Sequence, residues 1–369
     1  MVAATDPSSD CGPSAAALKR GASHVTKPTG KETPPPSSTA ADGMQDIGAR
    51  YQRQGFSQQA ADLILASWRP ATQAAYNCHI AKWKSYSLRN KVAVNSPSTV
   101  EVANFFAELF QSGASHSAVN SARSALSAYL PLRDGFSVGS HPDICRLVKG
   151  VFEERLSMPK YSSTWDVKTV LDYLDVLSPM ENLTLKELTL KTCMLLSLVT
   201  GQRGHALYSL SVNDVKMEEN KCVLFFSQKQ KTTRPGSHPE PAEIRTFPHN
   251  IKLCPMARLK HYLSKTEKLR KCNLLFISYM KPHLPVGRQT FSSWIKSVLA
   301  SAGIDTDIYS AHSTRAASTR AAASAGVSLK VILKAAGWSG EHIFHKFYRR
   351  RLQPNFGQKV LDGFLNKHK

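Results

Sequence analysis

The sequence predicts a two-domain protein that is mainly α-helical and carries a small β-sheet. Its 369 residues exceed the size of one ordinary domain. Apolar residues recur every three to four positions over most of the chain, which is typical of amphipathic helices. Only the region 221–248 holds segments rich in Val, Phe and Ile that are bounded by turn residues, as in a pair of strands. A helical N-terminal domain followed by a mixed domain is the simplest arrangement that accounts for all three observations.

The N-terminal part divides into a tail and a helical domain. Residues 1–46 are rich in Ser, Thr, Pro, Ala and Gly and poor in large apolar side chains, so we predict a disordered tail. Residues 47–155 are predicted to form an all-helical domain. Its second predicted helix has Thr72 as cap, and the third has Ser98 or Thr99. The helical segments are SQQAADLILASW (57–68), TQAAYNCHIAKWKSYSLRN (72–90), SPSTVEVANFFAELFQSG (96–113) and SHSAVNSARSALSAYLPL (115–132).

The C-terminal domain is predicted over residues 160–369. Helices are expected at 167–177 and 184–200, followed by strands at 221–227 and 243–248 with a long polar loop between them. The short apolar segment NLLFIS (273–278) fits either a strand or a helix. The remaining segments have helical spacing, and they are CPMARLKHYLSKTEKLR (254–270), GVSLKVILKAAG (326–337) and EHIFHKFYRRR (341–351).

Charge and composition restrict the function classes. The 48 Lys and Arg residues outnumber the 27 Asp and Glu residues, giving a net charge of +21, which favours an anionic partner such as nucleic acid or a membrane surface. The most apolar stretch, CMLLSLVTG (193–201), is about half the length needed to span a bilayer, so no membrane helix is predicted. The N-terminus lacks the pattern of a secretory signal. Seven dispersed cysteines without a Cys-x-x-Cys pair predict reduced thiols and no structural zinc.

Residues suited to phosphate chemistry follow one another in a particular order. His312 and Arg315 lie three positions apart at the start of a helix of small residues, which places them on one helical face. Taken singly, each candidate has an ordinary structural explanation, as a helix cap, a surface charge or a packed core residue. The ordered set consists of Arg203, Lys229, Lys231, His312, Arg315, Trp338 and Tyr348.

In this order the residues resemble the tyrosine recombinase family, which includes the phage integrases. The sequence is most similar to the eukaryotic branch of DIRS-type retroelements and Cryptons, and the resemblance covers roughly residues 50–355. It implies a SAM-like helical core-binding domain and a mixed α/β catalytic domain that together form a clamp on DNA. The blocks that carry the resemblance are TGQRGHALYSL (200–210), KTTRPG (231–236), AHSTRAAST (311–319) and AAGWSGEHIFHKFY (335–348).

The resemblance implies a role for each member of the set. Arg203 and Arg315 would hold the non-bridging oxygens of a phosphodiester, because two guanidiniums suit the charge of the transition state. His312 would act as general base or hydrogen-bond donor, and Lys231 would protonate the leaving 5′ oxygen, with Lys229 as an alternative. Trp338 would donate its indole N–H to a phosphate oxygen and pack the site.

The nucleophile implied by the resemblance is Tyr348, which would form a 3′-phosphotyrosyl link. Tyr309 is the nearest rival in the sequence, but it precedes the histidine and fits none of the blocks. The link conserves bond energy, so neither ATP nor a metal or other cofactor is implied, and no phosphate-binding Gly-x-x-x-x-Gly-Lys motif is found. Further DNA contacts are predicted at Lys229, Arg234, Arg320, Arg349 and Arg350.

The expected partner is double-stranded DNA, on which the protein would assemble as a dimer to tetramer, in the nucleus and as a product of a mobile element. Two alternatives stay open, a catalytically inactive, domesticated DNA-binding protein of the same fold and an enzyme resembling type IB topoisomerases. The sequence departs from the family pattern at one position that bears on catalytic activity. Members of the family commonly carry an acidic residue three positions after the first arginine, where this chain has Ala206. The family also often has histidine at the position of Trp338.

Overall fold

A computed structural model describes residues 43–155, 163–177, 182–230, 233, 235–236, 239–338 and 340–341. The chain divides into two compact units, residues 1–158 and 159–369. Positions 1–42 of the tail predicted over 1–46 lie outside the described residues. The last four residues of that predicted tail are helical, because the first helix begins at Gly43. The boundary between the two units lies between the parts of the chain predicted as the domains 47–155 and 160–369.

The N-terminal unit is built from helices around one apolar core. That core contains Ile80, Trp83, Phe105 and Phe106, and the Trp83 indole Nε1 donates a hydrogen bond to the Val94 carbonyl oxygen at 2.9 Å. The helices are α1 (Gly43–Arg53), α2 (Gln58–Leu65), α3 (Pro70–Asn90), α4 (Thr99–Gln111), α5 (His116–Tyr129) and α6 (Pro142–Glu154).

Local signals set several of these helix ends. Ser98 caps α4, because its hydroxyl accepts from the Glu101 backbone N–H while the Glu101 carboxylate accepts from the Ser98 backbone N–H. Of the two predicted caps, the structure therefore selects Ser98. The predicted cap Thr72 is wrong, since α3 already begins at Pro70. Proline suits a first helical position because it has no N–H to leave unsatisfied there.

The C-terminal unit surrounds one deeply buried helix. Helix α8 is buried on nearly all sides because α10, α11 and α12 pack around it. The helices predicted at 167–177 and 184–200 are confirmed. The helices of this unit are α7 (Val167–Val176), α8 (Leu185–Thr200), α9 (Gly204–Tyr208), α10 (Pro255–Thr266), α11 (Arg288–Ser301), α12 (Ser313–Ser324) and α13 (Leu329–Ala336).

A small antiparallel sheet completes the unit. Strand β2 (Lys221–Leu224) pairs with β3 (Ala242–Arg245), with Cys222 opposite Ile244, which confirms the predicted strand pair in shorter form. Strand β1 (Val215–Met217), which was not predicted, pairs with the other edge of β2. The ambiguous segment 273–278 forms neither a helix nor a strand of this sheet. Its residues Leu275, Phe276 and Ile277 are buried, and isolated bridges at Leu274 and Ile277 join the segment to the fold.

None of the helices within the described residues is both long enough and apolar enough to cross a membrane.

The mainly helical fold with a small sheet agrees with the class predicted from sequence.

Candidate active site

The first predicted arginine follows a sharp turn at the end of α8. Gly201 caps α8 with φ of +58°, a left-handed conformation that glycine adopts without steric cost. A Cβ at this position would lie 3.6 Å from the Thr319 side chain, so the turn packs directly against α12. Arg203 comes two residues later as the N-cap residue of α9, half-buried. The turn that leads to Arg203 thus lies against the helix that carries the second arginine.

Residues at the start of helix α12 differ in their exposure to solvent. His312 is the N-cap residue and is exposed, whereas Ser313 and Arg315 are buried, with Arg315 only 3% exposed. The Ser313 hydroxyl accepts a hydrogen bond from the Trp165 indole at 2.9 Å, and the Ser318 hydroxyl donates to the Leu198 carbonyl oxygen of α8. The small side chains of α12 allow this close approach to α8.

Arg315 and Trp338 are in direct contact although 23 residues separate them. The Arg315 guanidinium carbon lies 4.5 Å from the centroid of the Trp338 ring, which is the geometry of a cation–π interaction. Its Nη2 also donates to the Ala336 carbonyl oxygen at the end of α13. Next to that carbonyl, Gln202 Nε2 donates to the Ala335 oxygen at 2.7 Å. The end of α8, the start of α12 and the end of α13 therefore meet around Arg315.

A hydrogen-bonded loop segment carries the predicted lysines. Lys229 is exposed, and the next residue, Gln230, is buried. The Gln230 amide oxygen lies 3.4 Å from Nδ1 of His205, which belongs to α9 and follows Arg203 by two residues. Gln230 and Thr233 are also hydrogen-bonded to each other. Gln230, the residue before Lys231, is therefore tied to the short helix that begins after Arg203.

Two further candidates have identified partners. Arg320 Nη1 donates to the Thr164 hydroxyl at 2.8 Å, and its contact with DNA stays a prediction. The Tyr309 hydroxyl lies 3.2 Å from the Ser163 hydroxyl, and the ring packs against the core of the C-terminal unit. Five predicted residues lie outside the described residues, and they are Lys231, Arg234, Tyr348, Arg349 and Arg350.

Sequence reasoning missed three residues of this region. Gln202, His205 and Gln230 each hold a neighbouring segment by a side-chain hydrogen bond. The first two lie inside the block TGQRGHALYSL, but no pattern in that block indicates which partners they select. Ala206, which replaces the usual acidic residue, is 2% exposed and forms part of the core. Among the described residues, no group of three or more His, Cys, Asp or Glu side chains is arranged to hold a metal ion.

The sequence model of the phage integrase family matches residues 168–353, just over half of the chain. The chain belongs to the phage integrase family. The matched region includes all six residues predicted as catalytic, from Arg203 to Tyr348. A comparison of this chain with curated protein sequences finds no match.

Solved structures agree on the fold of this family member. XerH site-specific recombinase bound to palindromic difH substrate, in a post-cleavage complex, is 14% identical with a TM-score of 0.54, covering 85% of this chain and 95% of its own. The Tn1549 transposon integrase in complex with transposon right end DNA is 12% identical with a TM-score of 0.53, covering 87% of this chain and 98% of its own. At these identities the similarity establishes a tyrosine recombinase fold. No finding distinguishes the DIRS-type and Crypton branch within the family.

The arrangement is chemically suited to an anionic ligand. A buried guanidinium held by an indole and a main-chain carbonyl is a fixed positive charge in surroundings of low dielectric constant, where its field is stronger than in water. A histidine at the exposed end of the same helix adds a side chain of the type that serves as general acid or base. These are the requirements for binding a phosphate and moving a proton beside it.

Proposed function

We propose that this integrase-family protein cuts and rejoins DNA strands through a covalent bond between Tyr348 and a 3′ phosphate. The observation that carries the proposal is the buried contact of Arg315 with Trp338 and the Ala336 carbonyl. It supports the role of a phosphate-binding arginine, because a guanidinium that is already oriented can stabilise charge on a phosphodiester as that charge develops. The family match over residues 168–353 supports the same assignment.

In the proposed reaction, the Tyr348 hydroxyl oxygen attacks the phosphorus and its proton passes to His312. The bond from phosphorus to the 5′ oxygen breaks, and that oxygen takes a proton from Lys231 to leave as a 5′ hydroxyl. Arg203 and Arg315 hold the non-bridging oxygens. The 5′ hydroxyl of a second strand then reverses these steps, so the number of phosphodiester-type bonds is conserved and no external energy source is needed.

The proposed partner is duplex DNA. The net charge of +21 supports salt-sensitive binding to a polyanion. XerH recombinase and the Tn1549 integrase are bound to DNA in their structures, which supports a DNA partner for this chain as well. We propose that Lys229, Arg234, Arg320, Arg349 and Arg350 contribute DNA contacts and that the protein assembles on DNA as a dimer to tetramer.

An origin in a DIRS-type or Crypton element, and residence in the nucleus, are further parts of the proposal. The sequence blocks at 200–210, 231–236, 311–319 and 335–348 support the first. The DNA partner and the eukaryotic character of that branch support the second. A fluorescent fusion of the whole chain that stays outside the nucleus of a eukaryotic cell would count against nuclear residence.

One observation favours a second candidate, a DNA-binding protein that has lost catalysis. At the position where the family commonly has an acidic residue, Ala206 is buried in the core and offers no group to the site. In this alternative, binding to DNA would persist while strand cleavage would not occur.

Covalent trapping separates the two candidates. The protein is incubated with nicked duplexes drawn from the ends of its own genomic element, and an SDS-resistant protein–DNA band is sought. We expect a band with the unmodified chain and with Tyr309→Phe, and none with Tyr348→Phe. Duplex binding without a band on any substrate would overturn the recombinase proposal in favour of the non-catalytic one.

A further inference from the structure

Three consecutive residues just before α7 each bond to helix α12 or to the loop that leads into it. They are Ser163, Thr164 and Trp165, and their partners are, in the same order, Tyr309, Arg320 and Ser313. All six residues belong to the C-terminal unit. The segment 163–165 therefore lies along the helix that carries Arg315.

The most deeply buried of these contacts joins Trp165 to the first residue of α12. Trp165 is 6% exposed and Ser313 is 2% exposed. The indole N–H donates to the Ser313 hydroxyl at 2.9 Å, and this hydroxyl donates to the Ser310 carbonyl oxygen at 2.7 Å. A buried indole N–H needs an acceptor, and a serine hydroxyl can accept and donate at the same time. The position of Ser313 is thus tied both to Trp165 and to the turn before α12.

A second contact holds α12 further along its length. Arg320 lies about two helical turns after Ser313, on the same face of α12. Its Nη1 donates to the Thr164 hydroxyl at 2.8 Å. Two points of attachment on one face restrict both rotation of the helix and sliding along its axis. The contact between the Ser163 and Tyr309 hydroxyls is exposed to solvent and adds little to this restriction.

The start of α12 needs such support because its own cap is weak. Ser98 and Thr184 cap α4 and α8 with their hydroxyls, whereas the side chain of His312 makes no capping hydrogen bond to α12. The backbone N–H groups of residues 313–315 donate to the carbonyl oxygens of residues 310–312, three positions back. Turns of this 3-10 type have poorer hydrogen-bond geometry than an α-helix, so the first turn of α12 depends on contacts from other segments.

We infer that Thr164 and Trp165 are positioning residues that hold the start of α12 where Arg315 can meet a phosphate. The inference rests on the proposed function and extends it to two residues that precede the region matched by the family model, 168–353. Arg315 follows Ser313 by two positions in the same helix, so a displacement of Ser313 displaces the arginine backbone as well. A shift of about 1 Å at a reacting centre can slow a reaction about 100-fold.

Two duplexes that differ in the charge of the scissile phosphate test the inference. In the second duplex a methyl group replaces one non-bridging oxygen, so this methylphosphonate is uncharged and has less need of a guanidinium. Trp165→Phe keeps an aromatic ring in the core but removes the indole N–H. We expect it to form the covalent complex about 10-fold more slowly on the ordinary duplex and no more than about 2-fold more slowly on the methylphosphonate, because a displaced arginine matters only where charge develops.

Two further variants and a control sharpen this comparison. Ser313→Ala removes the same hydrogen bond from the other side, so it should show the same preference for the uncharged duplex. The double variant with Trp165→Phe should be no slower than the slower single variant, because both changes remove one shared bond. Trp294→Phe is the same exchange at a buried position of α11, where the ring stacks on Tyr279 at 5.4 Å, and it should cleave both duplexes like the unmodified chain.

Hydrogen exchange tests the support of α12 without any cleavage. In Trp165→Phe we expect the amides of residues 313–316 to exchange about 5-fold faster, the factor that corresponds to the loss of one hydrogen bond. The amides of α13 should exchange at the same rate in the variant and in the unmodified chain.

Several results would overturn the inference. Normal cleavage of the ordinary duplex by Trp165→Phe, or unchanged exchange at 313–316, would show that α12 does not depend on this bond. Equal losses on the charged and uncharged duplexes would indicate a general structural defect and not a displaced arginine. If the unmodified chain forms no covalent complex with either duplex, the proposed function fails and the positioning role fails with it, while the exchange rates still report whether Trp165 supports α12.

Discussion

Replacing Lys191 with methionine should stabilise the C-terminal unit near neutral pH and lose this benefit at high pH. Lys191 lies on α8 with 1% of its surface exposed, and its Nζ donates to the Leu174 carbonyl oxygen of α7 at 2.6 Å. Burial lowers the pKa of this lysine from 10.5 to about 8. The Arg258 charge acts in the same direction, and Asp175 opposes it. The folded protein therefore holds a cation in surroundings that disfavour it.

The size of the effect follows from linkage between protonation and folding. A shift from 10.5 to about 8, at 1.36 kcal/mol per pKa unit, corresponds to a penalty of roughly 3 kcal/mol, which is an upper bound. Below pH 8 the lysine is protonated in both the folded and the unfolded state, so the penalty is complete. Between pH 8 and 10.5 the folded state releases the proton that the unfolded state retains, and the penalty disappears. Methionine forfeits the hydrogen bond to Leu174, worth about 1 kcal/mol.

We therefore expect Lys191→Met to gain about 2 kcal/mol in the free energy of unfolding at pH 7 and to be slightly less stable than the unmodified chain at pH 10.5. Urea unfolding followed by circular dichroism at both pH values measures this difference. Lys260→Met, an exposed exchange on α10, is the control for general effects of charge removal. If the two variants show the same change between the two pH values, Lys191 is solvated and the reasoning is refuted.

Two further predictions concern one residue in the N-terminal unit and one in the C-terminal unit. Burial lowers the pKa of His79 from 6.5 to about 4, with Lys82 adding to the shift, so the N-terminal unit should lose roughly 2–3 kcal/mol as the pH falls from 7 to 4.5. His79→Leu should remove this acid sensitivity, and an unchanged drop in its urea midpoint between the two pH values would contradict the assignment. Arg315→Lys keeps the charge but not the planar donor group, so covalent complex formation should fall about 100-fold while duplex binding in a gel-shift assay changes little. Normal cleavage by this variant would exclude Arg315 from the phosphate site.

Elements with strong local signals could be predicted from sequence, and elements that depend on tertiary contacts could not. The Ser98 cap with Glu101 is encoded within four residues, so the start of α4 can be predicted from the local sequence. Strand β1 is only three residues long, too short for an alternating pattern, and it exists because β2 provides a partner. The segment 273–278 is buried at Leu275, Phe276 and Ile277 without forming a helix, and hydrophobic periodicity cannot distinguish such a short apolar segment from a buried helix.

The same distinction applies to the candidate site: its residue types could be predicted from sequence, but its tertiary contacts could not. The order of Arg203, His312, Arg315 and Trp338 was visible as a family pattern, because these residue types stand at characteristic spacings. The contact between Arg315 and Trp338 depends on the left-handed turn at Gly337, which redirects the chain after α13. The hydrogen bond between His205 and Gln230 joins residues 25 positions apart and belongs to no motif. Such pairs become identifiable only when the fold brings their elements together.

The packing of Arg315 also affects how binding of a phosphate would be divided between enthalpy and entropy. An arginine side chain that is free in solution loses about 2 kcal/mol of rotamer freedom when it is immobilised by a ligand. In this fold the Trp338 ring and the Ala336 carbonyl restrict the side chain in the absence of any ligand, so most of that loss occurs when the protein folds. A phosphodiester arriving at the site would therefore meet a group whose ordering adds little further entropic cost.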